Sequence, residues 1–206
     1  LNIGLFFPLL FLAAERLPGG VAATLGAVQP IIVAVLGAIV LGEQLSGWRV
    51  ACGLLGVAGV GLITLGPAAS LDPIGIFAGL AGTACLAGGV ILTKKWGRPT
   101  GVGPVAYTGW QLAAGGLLLL PATILVEGVP SKVDGLGVLG YLWLALVGGL
   151  ISYTLWFRGI HALPVAAASL LGLLSPLVAV SLDTLVLGHR FTTLQGVGFT
   201  LTVLAL

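Results

Sequence analysis

Charged residues interrupt this chain at intervals, and each interval is about as long as a membrane crossing. Runs free of Asp, Glu, Lys and Arg cover 1–14, 17–42, 50–71, 73–93, 99–126, 135–157, 159–182 and 191–206. A helix needs about 20 apolar residues to cross the hydrocarbon core. The inner six runs all reach that length. Only 7% of the 206 residues are charged, and the mean hydropathy is +1.20. A soluble domain carries about 25% charged residues. The composition therefore excludes a water-facing globule, a disordered chain and a nucleic-acid binder. The 34 glycines and 11 prolines lie largely within apolar runs, which suits close-packed membrane helices.

The pattern predicts an all-α integral membrane protein with helices over 1–14, 19–41, 48–66, 73–93, 102–126, 136–157, 163–187 and 194–206. Short linkers with turn residues separate them: Leu17-Pro18-Gly19, Gly66-Pro67, Asp72-Pro73, Arg98-Pro99 and Gly128-Val129-Pro130. Orientation follows from cations in alternate loops. Arg49, Lys94, Lys95, Arg98 and Arg158 fall on one side, and Arg16, Lys132 and Arg190 on the other. The compact Lys94, Lys95 and Arg98 cluster is expected in the cytoplasm, with 42–49 and 158–162 as loops on the same side. The chain lacks Met and opens at Leu1 inside an apolar run without a charged leader. It is expected to be a fragment of a longer protein.

Sliding the chain by 146 residues uncovers an internal repeat. Leu17-Pro18 falls on Leu163-Pro164, Leu25-Gly26 on Leu171-Gly172, Pro30 on Pro176, and Val40-Leu41-Gly42 on Val186-Leu187-Gly188. Across 15–49 there are 10 identities, where chance in so biased a composition gives about 4. Two matched prolines inside helices carry the most weight, because a mid-helix proline is costly. The offset makes the repeat unit five helices. Five is odd, so the second copy enters the membrane inverted, as in many secondary transporters. On this arithmetic, 1–66 is the end of the first five-helix repeat and 73–206 is the second. The intact protein is expected to have ten helices, eight of them seen here. Two helices, on the order of 70 residues, are expected ahead of Leu1.

The stretch Leu17–Gly53 combines an Ala-rich helix start, mid-helix Pro30, then Leu41-Gly42-Glu43 and further glycines. It resembles the EamA-type family of the drug/metabolite transporter superfamily. Pro164 through Pro176 to Leu187-Gly188 resembles the same pattern, with His189 where the family usually shows Glu. The resemblance implies ten helices in two inverted halves, and export of small metabolites.

Several residues are candidates for a substrate pathway. Asp183 is an acid well inside a spanning run, and an intramembrane carboxylate is by default a functional hypothesis. It shares a helical face with Ser169, Gly172, Pro176 and Ala179; the first-copy face holds Ala23, Gly26, Pro30 and Gly37. These two small, proline-bearing faces are expected to meet and line the path. Asp183 would bind a proton or a cationic group there, or else reach water about one turn from the interface. Pro30 and Pro176 free backbone acceptors or make hinges; the alternative is a static kink. Gln29 and Ser175, just before them, bond either substrate or a neighbouring helix. Tyr107, Gln111 and Gly115 share a face, and Tyr153 and Trp156 lie one turn apart; both groups suit cavity walls. Trp48, Trp96 and Trp156 also read as interfacial anchors.

The other marked residues have structural readings. Gly75 and Gly79 form a GxxxG that predicts close packing of 73–93 on a neighbour, not a dimer. Glu43 caps the next helix, gates the path or is solvated. Cys52 and Cys85 are small packing residues. His161 and His189 are expected in loops. Metalloprotease, nucleophile-elbow and phosphate-loop signatures are missing, as is a pair of embedded aspartates. No cofactor or metal is expected. With no ATPase signature in the chain, uphill transport would use an ion gradient or exchange. The expected function is alternating-access secondary transport in the plasma or inner membrane. Its partners are the lipid bilayer, a small-molecule, amino-acid-like substrate and, as candidate coupling ions, protons. A channel or scramblase of the same fold, an intramembrane enzyme or a structural subunit are the alternatives.

Overall fold

The computed structural model describes residues 1–64, 72–126, 128, 133–187 and 192–206. Their regular structure is helical throughout, with no strand among the described residues. In chain order the elements are α1 Phe6–Arg16, α2 Gly19–Gly26, α3 Gln29–Leu41, α4 Gly47–Thr64, α5 Pro73–Trp96 and α6 Pro104–Val126. They continue with α7 Gly135–Trp143, a π-helical segment Leu144–Ile151, α8 Ser152–Ala162 and α9 Val165–Leu170. A 3₁₀ turn Leu171–Leu173, then α10 Leu174–Leu187 and α11 Thr193–Ala205 complete the chain. Five spans are long and apolar enough to cross a membrane: Gly19–Leu41, Gly47–Thr64, Pro73–Trp96, Pro104–Val126 and Gly135–Ala162. The chain is an all-α membrane protein, and outward-facing Leu125, Val126, Leu136 and Leu185 suit a lipid-facing surface.

Sequence chemistry explains the helix ends. Asp72 caps α5 by accepting from the Gly75 N–H at 2.8 Å, with Pro73 in the first turn. Asp134 caps α7 the same way, accepting from Gly137 at 2.7 Å. Thr192 and Gln195 form a capping box on α11. Gly42 closes α3 in the left-handed region, at φ 69°, where a side chain is disfavoured.

Glycines set the helix spacing. A methyl group on Gly59 of α4 would stand 2.8 Å from the Gly198 carbonyl oxygen of α11. On α5, Gly75 lies against Leu17, Gly79 against Leu25 and Gly82 against Leu9. The GxxxG therefore packs α5 onto α1 and α2 within the chain, as expected. Without a hydrophobic drive between helices in lipid, such close approach supplies the contact energy.

Side-chain contacts sort the helix termini to two ends. At one, Thr64 donates to the Gly20 carbonyl at 3.0 Å, and Arg16 faces Asp72 at 3.7 Å. At the other, Glu43 pairs with Arg49 at 2.8 Å, and the Lys94 ammonium reaches the end of α8. Some expected boundaries shift. The 136–157 helix runs from Gly135 to Ala162, so 158–162 is not a loop, and the 73–93 helix continues to Trp96. A cation ends an apolar run without ending a helix, because its long stem lets the charge reach the membrane edge. Gly66-Pro67, Val129-Pro130, Lys132, His189 and Arg190 lie outside the described residues.

Candidate functional site

The two proline-bearing helices change pitch at nearby positions of the repeat, while the backbone stays right-handed helical at Ala27, Val28, Leu171 and Leu174. Residues Ala27 and Val28 separate α2 from α3, while the 3₁₀ turn Leu171–Leu173 separates α9 from α10. A proline has no N–H, and its ring crowds the carbonyl four residues earlier. That residue is Gly26 before Pro30 and Gly172 before Pro176. Around the first pitch change the ladder tightens: Val28 N–H donates to the Leu25 carbonyl at 3.3 Å and Ile31 N–H to the Val28 carbonyl at 3.0 Å. Thr83 of α5, fully inside the protein, brings its hydroxyl 3.3 Å from the same Leu25 carbonyl. It is also 2.8 Å from Gly79 of its own helix.

The two pitch changes are close to each other. α3 packs on α9, and a methyl group on Gly172 would meet the Gln29 side-chain oxygen at 3.3 Å. Gln29 is 6% exposed, and its amide nitrogen is buried without a partner. Pro30 is buried beside it. Ser175 is exposed and Pro176 half-buried on α10. Asp183 lies on α10 too, and its side chain is outside the described residues.

One turn from Gln29, Val33 enters an apolar core shared by α3, α5, α8 and α9. Tyr107 and Tyr153 meet at this core, each with its ring 5.8 Å from that of Phe157. Tyr107 stands edge-on to Phe157 at 73°, a favourable aromatic geometry. Trp156 is half-buried, packing one side against the same core and lining a groove on α8 and α9, whereas Trp48 and Trp96 are exposed. Gln111 is half-buried, one turn from buried Gly115, which receives Ile3.

Three features escaped sequence reasoning. The Lys94 ammonium donates to the carbonyls of Ile160, His161 and Leu163 at 3.0, 3.0 and 2.8 Å. It caps the C-terminus of α8, where helices leave unpaired carbonyls. His161 is in the last turn of that helix, not in a loop, with a buried, unpartnered Nε2. The π-helical segment Leu144–Ile151 surrounds Gly148-Gly149, and the Ser152 hydroxyl donates to the Val147 carbonyl at 2.7 Å. The groove beside Trp156 on α8 and α9 holds about 370 Å³ and is lined by Leu155, Gly159, Leu163, Ala168 and Leu171 among others. Gln29, Tyr107 and Gln111 do not line it. Among the described residues no cluster of His, Cys, Asp and Glu could hold a metal, and both cysteines are free.

The model of the EamA-like transporter family matches residues 1–65 and 73–206. Protein PecM of Dickeya dadantii (strain 3937) is 44% identical over 198 residues, covering 96% of this chain and 67% of PecM. The uncharacterized inner membrane transporter YicL of Salmonella typhimurium (strain LT2) is 32% identical over 103 residues, covering 50% of this chain and 34% of YicL. The chain thus spans 67% of one relative's length and 34% of the other's. A solved protein structure superposes with a TM-score of 0.80 at 21% identity, covering 98% of this chain and 71% of that one, which shows a shared fold. The chain belongs to the EamA-like transporter family.

Proposed function

We propose that this member of the EamA-like transporter family is part of a secondary carrier that exports small metabolites or amino-acid-like solutes by alternating access. The observation that carries the reading is the meeting of two proline-kinked helices at Gln29 and Gly172, with a buried amide nitrogen left unpaired. Irregular helices at the interface of two repeats are where many carriers hold their substrates. An unpaired buried donor costs free energy until an acceptor arrives. A substrate oxygen, such as a carboxylate, supplies that acceptor. Tyr107, Gln111 and Tyr153 form the aromatic and amide wall, and Pro30, Ser175 and Pro176 the hinge region. Asp183 binds a coupling proton or a cationic group.

Residues 1–66 and 73–206 act as two inverted repeats, the first of them partial. The coincidence of helix bounds supports this: α1 and α8 begin and end 146 residues apart, and α4 and α11 begin at the same offset. The end bearing Arg49, Lys94, Lys95 and Arg98 is cytoplasmic, in the cell or inner membrane, and the apolar core around Phe157 closes that end. The family and the name of YicL point to transport and not to catalysis.

The test uses the full-length protein in proteoliposomes loaded with pooled metabolites, with mass spectrometry of what leaves. Selective, saturable loss of a few unmodified compounds is expected, and Gln29→Leu is expected to abolish it while the protein still folds. Non-saturable loss of many compounds, or new masses, would overturn the carrier reading.

A further inference from the structure

The residues that Lys94 holds include a histidine. Its ammonium takes the carbonyls of Ile160, His161 and Leu163, and so ties the end of α5 to the turn between α8 and α9. That turn is anchored in the apolar core on both sides, by Ile160 before it and Val165 after it. The His161 ring leans on Tyr107 of α6, with centroids 6.1 Å apart and planes at 54°. Its Nε2 is buried without a partner. These surroundings suit one protonation state. A neutral imidazole donates from a single nitrogen and can leave Nε2 as a bare acceptor, whereas an imidazolium carries an N–H at both. A buried charge with an unpaired N–H is much the costlier of the two.

The surrounding charges add to that cost. Those that act on the ring are Lys94 of α5 and Arg98 just beyond it. Tyr107 is the titratable group that α6 brings to the ring, and α9 brings none over Val165–Leu170. Tyr153 and Arg158 share α8 with it, and Lys95 next to Lys94 is exposed. The acid described at this end, Glu43, is engaged by Arg49 at 2.8 Å. A helix C-terminus favours a cation, but the carbonyls here already face one. We infer that His161 is a proton switch on the tie between α5 and the α8–α9 turn. With a neutral ring the tie is closed; a proton taken from water onto the Nε2 lone pair releases Lys94 from the three carbonyls. The closed form holds one proton fewer, so acid favours the released form. Release frees the turn between Ile160 and Val165 and loosens the core around Phe157. For the carrier proposed above, closure of the Lys94 end then depends on the pH at that end. This consequence rests on the carrier reading, and the switch itself does not.

The test is hydrogen exchange in the full-length protein in lipid nanodiscs, read as protection factors so that the intrinsic pH dependence of exchange cancels. Protection over 158–165 is expected to fall about tenfold from about pH 8 to about pH 5, across the ordinary histidine range, while protection over 193–205 holds. His161→Gln removes the titrating ring and is expected to keep protection high at both pH values. His161→Phe, which keeps a ring against Tyr107, is expected to do the same. Lys94→Met is expected to be poorly protected at both, with no step left. A step that either histidine variant retains belongs to another group and overturns the inference. So does the absence of a step in the unaltered protein, or a fall shared by 193–205. Low, flat protection in both histidine variants makes the ring a structural prop and overturns it too. None of these readouts uses transport, so their failure leaves the carrier reading standing, and a failed transport assay leaves the switch standing.

Discussion

Replacing Lys94 by Met tests whether one ammonium holds the end of α8. Three carbonyls converge on it at 3.0, 3.0 and 2.8 Å. A hydrogen bond to a charged group contributes about 1.5–3 kcal/mol net, and a cation at a helix C-terminus adds about 0.3–1 kcal/mol. The three bonds share one charge at the edge of the bundle, where water replaces part of what is lost. The net cost is therefore about 2–4 kcal/mol, below the sum of three separate bonds. Lys95→Met removes the same charge from the same cluster, but Lys95 is exposed, and a surface change of that kind stays within about 0.5 kcal/mol. The assay is a denaturant titration of each purified variant in detergent, paired with amide hydrogen exchange over 158–165. Lys94→Met is expected to lower the midpoint and to speed exchange there by about 30-fold, the factor that 2 kcal/mol produces. Lys94→Arg is expected to recover only part of the loss, because a planar guanidinium cannot aim three donors at one point. Equal behaviour of the Lys94 and Lys95 variants would refute the reasoning and leave both lysines as topology determinants alone.

Gly59→Ala is expected to destabilise the chain by about 1–3 kcal/mol, since the added methyl meets the backbone of Gly198 and Thr202 as well as the Thr202 hydroxyl; the same titration measures it. A double-mutant cycle on Glu43 and Arg49 is expected to give a coupling of about 0–1 kcal/mol, because both side chains are about a third exposed, at 32% and 38%. A larger coupling in that cycle would mean the pair is shielded in the membrane-embedded protein.

Much of the fold is legible in the sequence because it depends on length and charge. A run of apolar residues between charges is a helix in a bilayer whatever its neighbours, since each backbone group must find its partner within the helix. The GxxxG of α5 is legible for a similar local reason. What is not legible is partnership across helices. Lys94 reads as a topology signal because nothing in its own surroundings announces the carbonyls of residues 160–163. Thr83 sits in a glycine-rich run, and its approach to the Leu25 carbonyl depends on how α5 lies over α2. Phe157, the centre of the aromatic cluster, sits in a run of aromatics from Tyr153 to Phe157 that all look alike until one face is turned inward.

The repeat itself is a case where the sequence pattern and the geometry share one cause. Gly26 and Gly172 each stand four residues before a proline, at the carbonyl that the proline ring crowds. The pair fixes both where the helix changes pitch and how little side-chain bulk lies there. Two such places can therefore approach each other, and α3 packs on α9 for that reason. The chemistry around them is not duplicated. The first copy has Gln29 before its proline and the Thr83 hydroxyl of α5 near its Leu25 carbonyl; the second has Ser175. In the proposed carrier, a shared backbone device would set the position of the centre, and the residues that differ between the copies would give it polarity. Substitutions that abolish the shared device should thus disturb both halves. Those at Gln29 should act on what the centre recognises.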